Sequence, residues 1–371
     1  MSSQVLARKW RPRDFASLVG QAHVVKALTH ALTEQRLHHA YLFTGTRGVG
    51  KTTIARILAK SVNCEKGISA TPCGECEACL DIDAGRFVDL LEIDAASNTG
   101  VDDMRQLIEN AVYMPTAGRY KVYLIDEVHM LSKSAFNALL KTLEEPPAHV
   151  VFILATTDPQ KILPTVLSRC LQFNLKQMPP ADIVAHLTHI LTEEQVSFEA
   201  PALSVLAKGA QGSMRDALSL TDQAIAFSRS NITMEAVRDM LGSTDSAQIE
   251  AILRALIAKN GVALVHIAEQ MAASSTSFYD ATFELAQVLY RISLAQVVPS
   301  AKTDDVQLAA VIADLAPQFG ADEVQLYYSI VTTSREQLHL APDAQAGFTM
   351  MLLRLLAFAP AKDKATTAKK P

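Results

Sequence analysis

Residues 40–52 read AYLFTGTRGVGKT, an apolar run followed by a glycine-rich turn and the start of a helix-forming segment. The turn has the spacing GxxxxGKT, with its defining positions filled by Gly45, Gly50, Lys51 and Thr52. Glycines in such a turn let backbone N–H groups point inward around phosphates, and the following helix adds the positive end of its dipole. Lys51 should contact the β- and γ-phosphates and Thr52 should ligate Mg²⁺. The segment therefore predicts a nucleoside triphosphate site between a strand and a helix.

Three more apolar runs follow and alternate with helical stretches. They are VDLLEIDA (88–95), KVYLIDE (121–127) and VVFILATT (150–157). Each is rich in Val, Ile, Leu or Phe at consecutive positions, as in a parallel strand that is buried on both faces. The clearest helix between them is SKSAFNALLKTLEE (132–145), with Ser132 as its N-cap. This alternation predicts an α/β fold, a parallel sheet flanked by helices.

The strand pattern ends near Met178, and the rest of the chain has the spacing of amphipathic helices. We expect a nucleotide-binding domain at residues 1–178 and a small helical domain at 179–242. The helices of residues 243–360 carry no motif and favour a structural, oligomerising role, although a self-contained helical core is the alternative. Residues 361–371 are polar and predict a disordered tail.

Composition restricts what the chain can bind. The 371 residues have a formal net charge of -5, from 34 Lys plus Arg and 39 Asp plus Glu. This balance excludes a uniformly basic nucleic-acid coat, so any DNA contact must be a local patch. The first residues, MSSQVLARKWRP, lack the apolar core of a secretory signal, and no apolar run is long enough to span a bilayer. We expect a cytoplasmic protein.

Two carboxylates, Asp126 and Glu127, end the run KVYLIDE. Ligands of such folds bind at the carboxyl edge of the sheet, so both should lie beside the glycine-rich turn. Asp126 is predicted to hold Mg²⁺ through water and Glu127 to polarise the water that attacks the γ-phosphate, although a surface acidic pair is the alternative. At the end of the next strand, Thr157 or its rival Thr156 could hydrogen-bond the γ-phosphate or this water. For His129 we expect a satisfied polar side chain near the sheet edge.

Most of the cysteines fall in one short insert, NCEKGISATPCGECEACLD. They are Cys64, Cys73, Cys76 and Cys79. A CxxCxxC run with a fourth cysteine upstream suits a tetrahedral Zn²⁺ held by four thiolates, which leaves no position for water and predicts a structural site. An iron–sulfur cluster and unligated reduced cysteines are the alternatives. The fifth, Cys170, is expected to pack beside Arg169.

Motifs spread over the first 240 residues resemble one family. They are VGQ (19–21), GTRGVGKT (45–52), IDEVHMLS (125–132), LEEPP (143–147), LATTDP (154–159), LSRC (167–170) and GSMRDAL (212–218). Together they look like the clamp-loader branch of the AAA+ ATPases. More narrowly, the stretch from LARKWRP to LSLTDQAIA, cysteine insert included, is similar to the gamma/tau subunits of the bacterial DNA polymerase III clamp loader. The resemblance implies an AAA+ core, a small helical lid and an all-α collar.

The resemblance implies site residues as well. Arg169 matches the arginine finger that reaches the ATP of the neighbouring subunit, and Arg215 matches the sensor-2 arginine that points at the γ-phosphate of its own subunit's ATP. By residue type alone, each would more often be a plain surface cation. The adenine is expected between the segment from Ala7 to Pro12 and Val19. The phosphates are expected on Gly45, Thr46, Arg47, Gly48, Val49, Gly50, Lys51, Thr52 and Thr53. The family match also says zinc for the four cysteines.

Partners follow from the same resemblance. It implies an ATPase subunit of the DNA polymerase III holoenzyme that loads a ring-shaped sliding clamp onto primed DNA. Five subunits form a spiral joined by their collars, and DNA passes through the centre, held by its backbone. The loop DAASNTGVDDMR offers only Arg105 as a cation, with Asn98 and Gly100 where a basic side chain would help. Lys141 and Lys161 are further candidates.

Two other classes stay open. A DNA-translocating motor, such as a branch-migration helicase, would need basic or aromatic pore loops, which we do not find in the sequence. A non-hydrolysing scaffold subunit should have lost Lys51 or Glu127, and both are present.

Overall fold

The computed structural model describes residues 5–97, 109–228, 231–241, 246–274, 276–298 and 306–358. The chain divides into two compact units, Met1–Met234 and Glu235–Pro371. The tail, the candidate DNA-contacting residue Arg105, and the positions Asn98 and Gly100 without a basic side chain lie outside the described residues.

A parallel sheet forms the centre of the first unit. Among the described residues its strands are β1 (Ala40–Thr44), β2 (Leu90–Asp94), β3 (Lys121–Asp126), β4 (Val150–Thr156) and β5 (Leu171–Asn174). Their order is β2-β3-β4-β1-β5, and every neighbouring pair is parallel. The central strands β1 and β4 are buried along their whole length. The order brings the carboxyl ends of β1, β4 and β3 side by side, which is where the nucleotide site was expected.

Both edge strands depart from the sequence interpretation. β5 was not predicted, because its four residues LQFN are mostly exposed and show no apolar run. It pairs with β1 from Tyr41 opposite Leu171 to Thr44 opposite Asn174. β2 was expected to be buried on both faces, but exposed and buried positions mix along it, since it is the other edge and has a neighbour on one side only.

Alternate side chains of the central strands enter two separate cores. Tyr41 and Phe43 pack on one face of the sheet, and Leu42 packs on the other. The helices of this part are α1 (Leu6–Lys9), α2 (Ala22–Thr33), α3 (Lys51–Asn63), α4 (Glu77–Ala84), α5 (Lys133–Glu144) and α6 (Pro164–Leu167). Ser132 caps α5 as predicted, because its hydroxyl accepts a 3.2 Å hydrogen bond from the N–H of Ala135. Helices thus cover both faces, which confirms the fold class.

The residues after the sheet form a small helical lid. Its helices are α7 (Pro180–Glu193), α8 (Ala200–Gly209) and α9 (Met214–Phe227). The sequence predicted no strands here, yet β6 (Ser197–Phe198) pairs in parallel with β7 (Asn231–Ile232). Two residues are too few to show an alternating pattern, so this short pairing left no signal in the sequence.

The second unit is helical throughout its described residues. After α10 (Met234–Leu241) its helices are α11 (Ser246–Ile257), α12 (Gly261–Ala273), α13 (Phe278–Val297), α14 (Val306–Leu315), α15 (Ala321–Gln337) and α16 (Ala344–Ala357). Buried side chains such as Leu253, Leu285 and Phe348 form one apolar core. None of the helices in the described part of the chain has the length and hydropathy needed to cross a membrane.

Candidate functional site

The glycine-rich turn lies between β1 and α3. Helix α3 begins at Lys51 directly after Gly50, whose φ of 105° is readily adopted only by glycine. The Lys51 side chain folds back into the turn, where its Nζ donates to the carbonyl oxygens of Gly45 at 2.9 Å and Thr46 at 3.0 Å. Only 6% of Lys51 is exposed. The turn therefore holds an ammonium group at the place where a triphosphate would bind.

The other residues of the turn differ in their surroundings. Thr46 and Arg47 are exposed, whereas Val49 packs into the core beneath the sheet. Thr53 is half-buried on α3. The turn is therefore anchored to the core at Val49 and exposed to solvent at Thr46 and Arg47.

The acidic pair lies beside the turn. Asp126, the last residue of β3, accepts a 2.7 Å hydrogen bond at Oδ2 from the Thr52 hydroxyl. In P-loop nucleoside triphosphatases, Mg²⁺ is held by a hydroxyl and a carboxylate that lie in contact in this way. Burial lowers the pKa of Lys51, whereas the charges of Glu127 and Asp126 raise it. Both carboxylates are thus close enough to act on the ammonium group.

Glu127 is held by the end of the neighbouring strand. Its backbone is left-handed, with a φ of 47°. Its Oε2 accepts hydrogen bonds from the hydroxyl of Thr157 at 2.8 Å and from the backbone N–H of the same residue at 3.2 Å. His129 Nδ1 lies 3.4 Å from this oxygen and 2.9 Å from Oγ1 of the buried Thr156. The structure therefore joins Thr157 to the predicted base, and His129 has partners at the sheet edge.

The lid meets the turn at Gly48. A Cβ atom built on Gly48 would lie 1.9 Å from Ser213 Oγ and 3.3 Å from Arg215 Cβ. Gly48 also has a φ of 77°, so no other residue fits there without displacing the lid. Ser213 caps α9 by accepting from the N–H of Asp216 at 3.1 Å. This packing places Arg215, in the first turn of α9, at the rim of the nucleotide site.

A second arginine, Arg11, lies near Arg215 and was not singled out from the sequence. Burial is the main cause that lowers the pKa of Arg11, and the electrostatic contributions come from Arg56, Glu92, Arg215 and Arg8, of which only Glu92 raises it. Among the residues that the structure describes, neither Arg11 nor Arg215 forms an ion pair. Grouped cations of this kind provide a field that favours an anion. The sequence contained one signal for Arg11, because it is a cation within the segment that was expected to contact the adenine.

Ala7 and Val19 were expected to enclose the adenine. Ala7 lies on α1, and Val19 lies in the stretch that leads to α2; both are half-buried. Their contact with a base stays a prediction.

Arg169 does not join this group. Its guanidinium donates to the carbonyl oxygen of Thr165 at 2.7 Å and to Glu144 Oε1 at 2.8 Å, and 32% of its side chain is exposed. These partners lie on α5 and α6 rather than at the turn. Cys170 beside it is buried in the core, and burial raises the pKa of this thiol to about 11. Its action on the ATP of a neighbouring subunit stays a prediction.

The four clustered cysteines lie together as a metal site requires. The ligand atoms of Cys64, Cys73, Cys76 and Cys79 all lie within 4.8 Å of one another. Four thiolates at about 2.3 Å from one tetrahedral zinc ion are about 3.8 Å apart. Donation from the N–H groups of Glu75 and Cys76 lowers the pKa of Cys73 to about 6, which favours the thiolate. A polynuclear iron cluster would need more widely spread sulfur atoms, so the donor set fits a single ion better.

The segment that carries the four cysteines, the cysteine module (residues 64–79), is attached to α3, the helix that follows the glycine-rich turn. Lys60 on α3, with 2% of its side chain exposed, donates to both carboxylate oxygens of Asp83 on α4 at 2.8 and 2.9 Å. Arg119 donates to the carbonyl oxygens of Cys64 and Glu65. These polar contacts attach the module to α3 and to the residues that precede β3.

Comparison with known protein families gives matches along nearly the whole chain. The matching family models are DNA polymerase III, delta subunit, at residues 20–179; DNA polymerase III clamp loader subunit, ATPase lid domain, at residues 182–230; and DNA polymerase III subunits gamma and tau domain III, at residues 232–370.

Individual relatives are similar over almost all of this chain. DNA polymerase III subunit tau of Escherichia coli (strain K12) is 52% identical over 361 residues, 97% of this chain and 56% of the relative. DNA polymerase III subunit gamma of Buchnera aphidicola subsp. Baizongia pistaciae is 44% identical over 359 residues, 96% of this chain and 97% of the relative. The chain therefore spans a little over half the length of the tau relative and nearly all of the gamma relative.

The matches among solved structures are more distant. The Thermotoga maritima RuvB Holliday junction branch migration motor is 22% identical with a TM-score of 0.48, covering 67% of this chain and 79% of that one. The Bacillus subtilis DNA clamp loader delta protein (YqeN) is 15% identical with a TM-score of 0.37, covering 90% of this chain and 99% of that one.

Proposed function

Since the chain belongs to the DNA polymerase III gamma/tau family, we propose that it is an ATPase motor subunit of a clamp loader. ATP binding and hydrolysis would open a sliding clamp and place it on primed DNA, as part of the DNA polymerase III holoenzyme in the cytoplasm. Its partners would be the clamp, primed DNA and other loader subunits in a hetero-pentamer. The observation that carries the proposal is the meeting of Lys51, Thr52, Asp126 and Glu127 at one sheet edge.

The residues at this edge fit ATP and Mg²⁺. Lys51 would exchange its two carbonyl partners for the β- and γ-phosphates, and Thr52 with Asp126 would hold Mg²⁺, which neutralises phosphate charge when bound. Glu127 would orient the attacking water. Because Thr157 holds the carboxylate of Glu127 by two hydrogen bonds, we infer that Thr157 acts on this water through Glu127.

The lid would respond to the nucleotide through two neighbouring cations, one on the lid and one in the amino-terminal segment. Arg215 and Arg11 lie near each other without an ion-pair partner among the described residues, so their repulsion is relieved when a γ-phosphate lies between them. Binding would then hold the lid against the turn, and loss of the phosphate would release it. Through this coupling, the bound nucleotide would determine the geometry of the subunit.

DNA would be held by separate side-chain contacts to its phosphate backbone. Lys141 on α5 is exposed, and so is Lys161, whose Nζ lies 3.1 Å from a carboxylate oxygen of Asp158. Since the side chain of Lys141 has no ion-pair partner among the described residues, it is the better candidate of the two for a phosphate contact.

Loading of a labelled clamp onto primed circular DNA tests the function. The complex reconstituted with this chain should retain the clamp on DNA through gel filtration only when ATP is present. ATP-driven movement along DNA without a clamp would favour the translocating motor instead. The scaffold alternative predicts loading that does not depend on ATP hydrolysis by this chain, and the presence of both Lys51 and Glu127 counts against it.

One structural zinc ion per chain is expected in the cysteine module. Replacing Cys76 by serine removes one of four thiolates, so elemental analysis should find the zinc lost and thermal unfolding should begin at a lower temperature. Metal binding of this kind contributes on the order of 10 kcal/mol to folding of the loop. Cys170→Ser is the control and should keep its zinc, because Cys170 lies in a separate core. Absence of zinc from the wild-type chain, or iron with sulfide, would contradict the assignment.

A further inference from the structure

The amino-terminal segment is attached to the lid. Helix α1 has only four residues, too few to be stable without tertiary contacts. The N–H of Leu6 at its start donates a 2.9 Å hydrogen bond to Asp222 Oδ2 on α9. Burial raises the pKa of Asp222, and this hydrogen bond opposes the rise. The first described residues of the chain are therefore fixed by a helix that is more than 200 positions away in sequence.

Glu194, at the carboxyl end of α7, provides the second attachment. Its Oε2 accepts from Lys9 Nζ at 2.7 Å, and its Oε1 accepts from the indole Nε1 of Trp10 at 2.6 Å. Only 19% of the Glu194 side chain is exposed, and the two donors lower its pKa. The Trp10 ring meets the ring of His189 edge-on at 5.7 Å. Both carboxylate oxygens are thus used to hold two consecutive residues.

The attachment has a direct bearing on the nucleotide site. Arg11 follows Trp10 directly, and the charge of Arg215 on the lid is among the causes that lower the pKa of Arg11, after its burial. Ala7, expected against the adenine, lies between Leu6 and Lys9, which are both bound to the lid. A charge-assisted hydrogen bond to a partly buried indole is stronger and more directional than an exposed ion pair. Trp10 therefore contributes more than Lys9 to fixing this segment.

We propose that Glu194 is a positioning residue for nucleotide binding, which holds residues 7–11 on the lid so that this segment and Arg215 close onto ATP as one body. The proposal deepens the proposed function and rests on it. Glu194 would touch neither ATP nor the attacking water. Its loss would weaken ATP binding and leave the chemistry at saturating ATP in place.

Glu194→Ala in the full chain tests this. Titration with a fluorescent ATP analogue should give an affinity about tenfold weaker than wild type, which corresponds to about 1.4 kcal/mol. In the reconstituted complex, KM for ATP should rise by about the same factor, with kcat within about twofold of wild type. Glu194→Gln keeps an oxygen that can accept from the indole, so its affinity should be intermediate. Glu193→Ala is the matched control, since Glu193 is an exposed neighbour, and it should behave as wild type.

Trp10 supplies a second readout, because it is the only tryptophan in the chain. Its emission should shift to longer wavelength in Glu194→Ala and stay unchanged in Glu193→Ala. If Glu194→Ala folds poorly, Trp10→Phe removes the indole donor, keeps an aromatic ring beside His189 and should weaken ATP binding in the same direction.

The outcomes separate this inference from the proposed function. Wild-type affinity in both Glu194→Ala and Trp10→Phe, or a fall in kcat at unchanged KM, would overturn the positioning role alone. A wild-type chain that binds no ATP would overturn the proposed function, and this inference with it.

Discussion

Replacing Lys51 by alanine is expected to abolish ATP binding by the chain and ATP-dependent clamp loading by the complex that contains it. The ammonium is held inside the glycine-rich turn by the carbonyl oxygens of Gly45 and Thr46, where a triphosphate would take over as its partner. Hydrogen bonds to charged groups contribute about 1.5–3 kcal/mol each, so two phosphate contacts correspond to a loss in affinity of about 100-fold or more.

The Lys51→Ala chain should fold. Burial opposes the charged form of Lys51 and lowers its pKa, so its removal takes an unfavourable buried charge out of the ligand-free protein. Without ATP, the melting temperature should therefore not fall. With ATP, the wild-type chain should gain stability in proportion to binding, and the variant should not.

Lys208→Ala is the control for these measurements, because Lys208 is an exposed lysine on α8 of the lid. It should bind ATP and support loading as the wild type does. Clamp loading at the wild-type rate by a complex in which every copy of this chain carries Lys51→Ala would refute the motor assignment.

Replacing Arg169 by alanine is expected to slow ATP hydrolysis by the assembled complex about a thousandfold, the usual contribution of an arginine finger. The same change should leave ATP affinity and the slow hydrolysis of the isolated chain unaltered. The reason is positional: the Arg169 guanidinium is bound to Thr165 and Glu144, while the charges around Lys51 belong to other residues. We therefore expect Arg169 to act on the ATP of a neighbouring subunit.

Complexes assembled from two different variant chains show whether Arg169 acts on a neighbouring subunit or within its own chain. Glu127→Gln removes the predicted base, and Arg169→Ala removes the finger. A complex containing both variant chains has some interfaces where an intact Glu127 meets an intact Arg169, so partial hydrolysis should return. If the two residues serve the same chain, no mixture restores activity. Glu144→Ala frees Arg169 without removing it and should keep hydrolysis near the wild-type rate.

A full hydrolysis rate in the isolated chain, or an unimpaired complex with Arg169→Ala, would contradict the shared site. Steady-state phosphate release at saturating ATP, with and without clamp and primed DNA, measures both cases.

The parts of this protein that the sequence by itself determined are local. The central strands and the glycine-rich turn each occupy one short stretch, and the period of apolar residues or the spacing of glycines identifies them directly. The α/β core and helical remainder were predicted from these patterns. The cysteine set was equally visible, and its sulfur atoms do lie together. The edge strand β5 was missed because half-exposed strands lack the continuous apolar run that marks a buried one.

What only the tertiary structure decided is which distant residues meet. The bond from Thr157 to Glu127 joins the ends of neighbouring strands, and the charges of Arg11 and Arg215 are brought together from opposite ends of the first unit. Glu194 accepts from Trp10, 184 positions away. Polar pairs of this kind have no period or spacing in the sequence, because their geometry is set by how the lid packs on the core. The glycine-rich turn could thus be predicted from residues 40–52, but the cations around it depend on the fold.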